Sequence, residues 1–413
     1  MEDKVDAAVN SPDLEFGISV MLVGSTTFVL SLFYLANFPD PDIQRYFWKV
    51  LGSILLVFLS VVLSNGINGF VIHYLDKSNV PLLVLAEYGP VLMWYALLEV
   101  FVATKLGMFR QCGFLGSSKA DALDIFLGSS MLSYMLASAA CTATSSAKKL
   151  LGPSSSSVAL MLITILMFWV LTPLIRSCRD RCLRLGDGEI DETEAEFKDM
   201  SAAVEADTAS AVIGLLIIAS ALPKADASLV IVFLALNVGT TLLALVFDGI
   251  IDRMSNKIAT ELMSIVSSVL WTGSTSAFIR LLQSLCMMTP ALSPFFSRTE
   301  AVTGQLILTL VATLYVTGSI LMLDSIADLP IPGDVDALIS KIIVSLALNL
   351  GTSWETCYDT AFASIAKRTS EPHVTRLLLG VGIVFLTLPA VRKYVLGKAA
   401  KLDVQTALNS NLE

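Results

Sequence analysis

The chain has 413 residues, a formal net charge of −9, and a composition that is 55% hydrophobic and 15% charged. Soluble domains carry roughly a quarter of their residues charged, so this composition excludes an ordinary soluble protein and is that of a membrane protein. The acidic balance argues against nucleic acid or anionic lipid as a main partner.

Residues 1–13 form an acidic tail with four acids and one basic residue, Lys4. The apolar run behind it is too long for the h-region of a cleaved signal peptide, so the first span is expected to remain in the protein. Read in windows of about 20 residues, apolar stretches fall at 14–38, 46–73, 80–104, 121–144, 157–176, 205–222, 227–248, 256–284, 301–323, 336–366 and 374–396. The expected fold is therefore an all-α integral membrane bundle of about eleven transmembrane helices. It divides into a first helix group, 14–175, a polar segment, 176–204, a second helix group, 205–396, and a C-terminal tail, 397–413.

The spans alternate in character. Odd ones are nearly continuous aliphatics, such as "LVIVFLALNVGTTLLALVF", whereas the following helix is longer and has a small, polar centre. Three such centres, "VVLSNGINGFVIHYL", "VLWTGSTSAFIRLL" and "ALNLGTSWETCYDTAF", align on Gly66, Gly273 and Gly351. Seven residues further, on the same helical face, stand His73, Arg280 and Tyr358. Repeated helical hairpins of this kind are common in transporters and channels.

Lys and Arg set the expected orientation. With eleven spans, 17 basic residues fall on the C-terminal side and 10 on the other, which places the C-terminus in the cytoplasm and the N-terminus outside or in a lumen. The 176–204 segment would then be cytoplasmic. It opens basic, "RSCRDRCLRL", and turns acidic, with Thr193 and Glu196 spaced as a capping box at a helix start. Cys178 and Cys182, beside the fifth span among arginines, are candidates for S-palmitoylation. The six cysteines are too scattered for a disulfide framework, and the only histidines, His73 and His373, lie away from Cys178 and Cys182, which disfavours a zinc site there.

An ionisable side chain in the middle of a span costs about 2.5–3.5 kcal/mol on insertion scales, so each one needs a reason. Glu355 and Asp359 in the tenth span are one helical turn apart and share a face. A shared proton, a bound cation or a paired arginine would relieve their repulsion. Arg280, at the matching depth of the eighth span, is the expected partner. Two readings stay open: a proton or cation site built from these three, or a structural ion pair that holds two helices together. Glu87 precedes Gly89 and Pro90 in the third span, where an opened helix could free carbonyls to coordinate a cation, or the step could be only a kink. Glu99, about 18 Å further along the same helix, cannot share a site with Glu87.

Small residues recur every fourth position in the fourth span, at Ser129, Ser133, Ala137, Cys141 and Ser145, a stripe suited to close helix packing. The polar cluster of Asn65, Asn68, Asn349, Thr352 and Ser353 could line a wet path or join helices by hydrogen bonds. The sequence holds no phosphate-binding loop, HExxH, GxSxG or dinucleotide glycine pattern. The acidic run from Asp187 fails as a calcium loop, since its sixth position is Glu192 and its twelfth Lys198. No cofactor is expected, and an ATP-driven pump or intramembrane hydrolase is disfavoured.

The stretches "FPDPDIQRYFWKVLGSILLVFLSVVLSNGINGFV", "EAEFKDMSAAVEADTASAVIGLLIIASALPKAD" and "LGTSWETCYDTAF" together resemble a group of multi-pass membrane proteins of dinoflagellate algae. The resemblance implies a multi-pass fold and transfers no site residue. Two functions follow from the residues themselves. One is a secondary transporter or channel whose carboxylates handle a proton or cation. The other is a non-transporting scaffold or sensor that works through segment 176–204.

Overall fold

The computed structural model describes residues 34–73, 80–105, 122–151, 302–327, 335–366 and 369–402, together with Leu30 and scattered positions within 159–177 and 201–216. The seventh and eighth expected spans, Gly273, Arg280, Cys178, Cys182 and most of segment 176–204 lie outside the described residues.

Six long helices make up the described part: α1 (Pro41–His73), α2 (Val80–Lys105), α3 (Ala122–Leu151), α4 (Val302–Ala327), α5 (Val335–Ala366) and α6 (Pro372–Ala390). They match the second, third, fourth, ninth, tenth and eleventh expected spans to within a few residues at most ends. Prolines start α1 and α6, where the missing N–H and fixed φ suit the first helical turn. Among the described residues, five helical segments are long and apolar enough to cross a bilayer: Ile43–Val71, Ala86–Thr104, Leu123–Lys148, Gly304–Met322 and Pro372–Leu402. Helix α5, which carries Asn349 near its centre and Glu355 and Asp359 beyond it, is not among these segments.

The two internal prolines act differently. Helix α2 runs unbroken through Pro90, so the opening anticipated at the Gly-Pro step is absent. In α6, Pro389 is followed by a wider π turn, Val391–Leu396, and the helix then resumes. A proline removes one backbone bond and pushes away the carbonyl four residues earlier, and an extra residue in the next turn accommodates that displacement.

Helix α1 is central. Its Val57 and Leu59 are fully buried, and its apolar neighbours include Ala140 and Ala143 of α3 and Leu348 of α5. The N-terminal half of α1 packs Tyr46, Val50 and Ile54 against Ala312, Val316 and Ile320 of α4 and Leu350 of α5. Close approach at glycines fixes the directions. Gly66 of α1 lies against Leu377 of α6, and Gly380 of α6 lies against Val62 of α1, so these two helices are antiparallel. Along α1 and α3, Ser64 meets Met135 and Asn65 meets Ser138, so those two run parallel. Helix α5 returns through a short hairpin into α6 and is therefore parallel to α1 as well.

The stripe on α3 is a packing stripe along most of its length. Ser129, Ser133 and Ala137 are buried, whereas Cys141 is partly covered and Ser145 is exposed. Hydroxyls on α4 are satisfied within the helix, with Thr309, Thr313 and Thr317 each donating to the carbonyl four residues earlier.

Candidate functional site

Glu355 lies where α5 packs on α1, which packs in turn on α3. Gly351, one turn before it, makes the first of these contacts possible: a Cβ there would stand 2.8 Å from Val57 Cβ and 3.0 Å from the Ile54 carbonyl oxygen. Without a side chain at 351, α5 lies directly on α1 and carries Glu355 into the interior, where it is 6% exposed. Its Oε1 accepts a hydrogen bond of 2.7 Å from Asn65 Nδ2 of α1. The oxygen of the same amide, Asn65 Oδ1, accepts from Ser138 Oγ of α3 at 3.2 Å. A hydroxyl, an amide and a carboxyl from three helices thus form one chain.

Asp359 is one turn along α5 and lies in a different environment. Arg376, near the start of α6, donates through Nε to Asp359 Oδ1 at 2.9 Å, and its Nη2 reaches the same oxygen. Arg376 and Asp359 are 33% and 30% exposed, so the pair sits towards the open end of the bundle. The two carboxyls of the i, i+4 pair are therefore treated separately: one meets a cation across a hairpin, the other a neutral amide inside the bundle. Arg280 lies outside the described residues, and the arginine that α6 brings to this face is Arg376.

At the same open end, His73 in the last turn of α1 and His373 in the first turn of α6 stack with ring centroids 4.0 Å apart and planes inclined by 23°. These are the two histidines of the whole chain. Tyr358, seven residues beyond Gly351, packs edge-on to Phe58 of α1 with centroids 4.9 Å apart.

The remaining polar cluster serves packing. Thr352 and Ser353 both donate to the Asn349 carbonyl of their own helix, and Thr309 Oγ1 of α4 donates to the Ser353 carbonyl at 3.2 Å. Asn68 Nδ2 donates to Ser64 Oγ, while Asn68 Oδ1, in a residue 3% exposed, has no hydrogen-bond partner among the described residues. Glu87 is buried on α2, and Glu99 of the same helix is partly exposed. The helix around Glu87 stays unbroken through Pro90, so the helical bond lost at this step is the one from residue 90 to the Ala86 carbonyl. Among the described residues, no group of three His, Cys, Asp or Glu side chains could hold a metal ion.

Two residues of this arrangement were not singled out by sequence reasoning. Arg376 reads as a flanking charge at the start of the eleventh span, and the signal for its role is that a short hairpin returns it to the level of Asp359. Ser138 lies one position off the small-residue stripe and is one of six serines on α3, so nothing in its spacing marks it. Compared with protein-family models, with curated proteins and with solved structures, the chain gives no match.

Proposed function

We propose that the protein is a secondary transporter or channel for a proton, a cation or a small solute, and that Glu355 is its ion-handling carboxyl. The observation that carries this reading is the contrast along one helical turn. Asp359 has a cationic partner, whereas Glu355, more deeply buried, is held by a neutral amide. A carboxyl placed inside a membrane bundle has a solvation cost that purely structural needs would avoid, so it marks an ion or proton pathway by default. Its surroundings fit that role, since a hydrogen-bonded chain links it to polar side chains of two further helices.

The same reading includes the eleven-span bundle of repeated hairpins, with the N-terminus outside or lumenal and the C-terminus cytoplasmic. Helices α1, α3 and α5 stand second, fourth and tenth in that order and run the same way, which is what an even number of crossings between each pair requires. The repeat is supported by Gly66 and Gly351, both of which lie at helix contacts.

Reconstitution into liposomes tests the proposal. Proton flux and flux of the common alkali cations are followed for the native protein and for Glu355→Gln. The expected result is a flux that the substitution lowers by about tenfold or more, equivalent to losing at least ~1.4 kcal/mol of barrier lowering. Absence of flux from the native protein, or equal flux in Glu355→Gln, would overturn it.

A further inference from the structure

This inference rests on the reading of Glu355 as an ion-handling carboxyl and names the ion. We propose that Glu355 binds a proton and not a metal cation, and that Asn65, backed by Ser138, serves both protonation states by turning its amide end for end.

The chemistry of the three side chains carries the argument. A primary amide has a donor end and an acceptor end, and a hydroxyl can do either. As arranged, Asn65 Nδ2 donates to Glu355 Oε1 at 2.7 Å and Ser138 Oγ donates to Asn65 Oδ1 at 3.2 Å, which suits the ionised carboxylate. When the carboxylate takes a proton from water, its new O–H needs an acceptor. Rotation of the Asn65 amide by half a turn presents Oδ1 to that O–H and Nδ2 to Ser138, whose hydroxyl changes from donor to acceptor. Both contacts, carboxyl to amide and amide to hydroxyl, keep one donor and one acceptor in either state. This matters at such depth, because a buried polar group without a partner costs about 1–3 kcal/mol. The cycle consumes nothing else: a proton arrives from water on the Glu355 carboxylate and returns to water when the amide turns back.

The same arrangement is ill suited to a metal cation. A hard cation such as calcium gathers about six to eight oxygen atoms. Even with Asn65 Oδ1 turned towards it, a cation beside Glu355 would find only two carboxyl oxygens and one amide oxygen from this pair of side chains, well short of that number. The other oxygen in the chain, Ser138 Oγ, is turned to the amide. The charged groups nearest Glu355 are Asp359, one turn away and about 6 Å along the axis of α5, and Arg376 of α6, which is paired with Asp359; both are partly exposed, so Glu355 stands about a turn from the open end. Ser138 and Asn65 are positioning residues in this account, and the proton is held by Glu355.

Infrared difference spectroscopy on the full-length protein in detergent tests the proposal directly. The protonated carboxyl stretch is titrated against pH in sodium, in potassium and in choline chloride. One titrating band should be lost in Glu355→Gln, and its midpoint should be the same in all three salts. In Asn65→Leu the ionised carboxylate loses a donor and the midpoint should rise by about one pH unit. Ser138→Ala, which removes a single hydroxyl and keeps the packing, should move it in the same direction by less, and it carries the test if Asn65→Leu does not fold. A midpoint that falls as sodium or potassium is raised would show a competing metal ion and overturn the inference. A midpoint unmoved by Ser138→Ala, or the same titrating band in Glu355→Gln, would overturn it as well. An intact titration in a protein that carries no flux would refute the transport reading and leave the proton site standing.

Discussion

Arg376 meets Asp359 across the α5–α6 hairpin, at a Nε to Oδ1 distance of 2.9 Å, although 17 positions separate them in the chain. The hairpin turns the expected clash of two carboxyls on one helical face into a division of labour. It also ties the first turn of α6 to α5 at the end where both side chains retain contact with solvent.

That pair should prove structural. In a double-mutant cycle with Asp359→Asn and Arg376→Gln, thermal unfolding in detergent should give a coupling of about 1 kcal/mol or less, as expected for a pair that is partly exposed. Ion flux, once established, should survive the double substitution. Flux lost in the double variant without a matching loss of stability would move Asp359 into the ion-handling site.

A second ion pair stands at the opposite end of α6, where Arg392 Nε donates to Asp124 Oδ1 of α3 at 2.5 Å. Arg392 is 49% exposed, so salt should screen this contact. Asp124→Asn should lower the unfolding temperature slightly in low salt and have almost no effect in 1 M salt, where the screening length falls to about 3 Å. An effect of equal size in both would mean that Asp124 acts through something other than its charge.

The two aligned glycines should respond differently to a methyl group. Gly351→Ala brings a Cβ to 2.8 Å from Val57 and 3.0 Å from a backbone oxygen, contacts that the surrounding structure must shift to accept. It should cost about 1–3 kcal/mol. Gly66→Ala meets its nearest neighbours at 3.5 Å, an ordinary contact, and Gly382→Ala meets nothing within 4 Å. Both should be neutral or gain up to about 1 kcal/mol from the better helix former. Calorimetry on the three variants would check the order, and a tolerated Gly351→Ala would contradict the close packing of α5 on α1.

Asn65 and Asn68 lie three residues apart on α1 and should also separate. Asn68 has an amide oxygen with no partner among the described residues, so Asn68→Leu should be neutral or stabilising by about 1 kcal/mol. Asn65→Leu removes a donor from a buried carboxyl and should destabilise by about 1–3 kcal/mol. Equal losses at both positions in denaturation experiments would mean that Asn68 oxygen is satisfied by a group outside the described residues.

The helices were legible in the sequence because windows of apolar residues as long as these have few other uses, and the bounds of α2 and α5 fall within one residue of expectation at both ends. Glu355 and Asp359 were legible for a related reason, since charge inside such a window stands out. Their partners were not. Asn65 belongs to a polar cluster whose members look alike in sequence, and its pairing with Glu355 spans 290 positions. Arg376 was hidden by its place at a span boundary, where a basic residue is ordinary. Of the two readings open at Gly89–Pro90, an opened helix or a kink, the opening is absent: the bond the proline removes is one of many, and the helix on either side holds the geometry.

The stacked rings of His73 and His373 have a consequence for measurement. This protein has placed both of its imidazole rings at one address, between the last turn of α1 and the first turn of α6. Two ring signals in a magnetic resonance spectrum would therefore report on a single joint. Their mutual shielding while stacked, and its loss if the rings part, would show directly whether those helix ends separate during a working cycle, with no label added to the molecule.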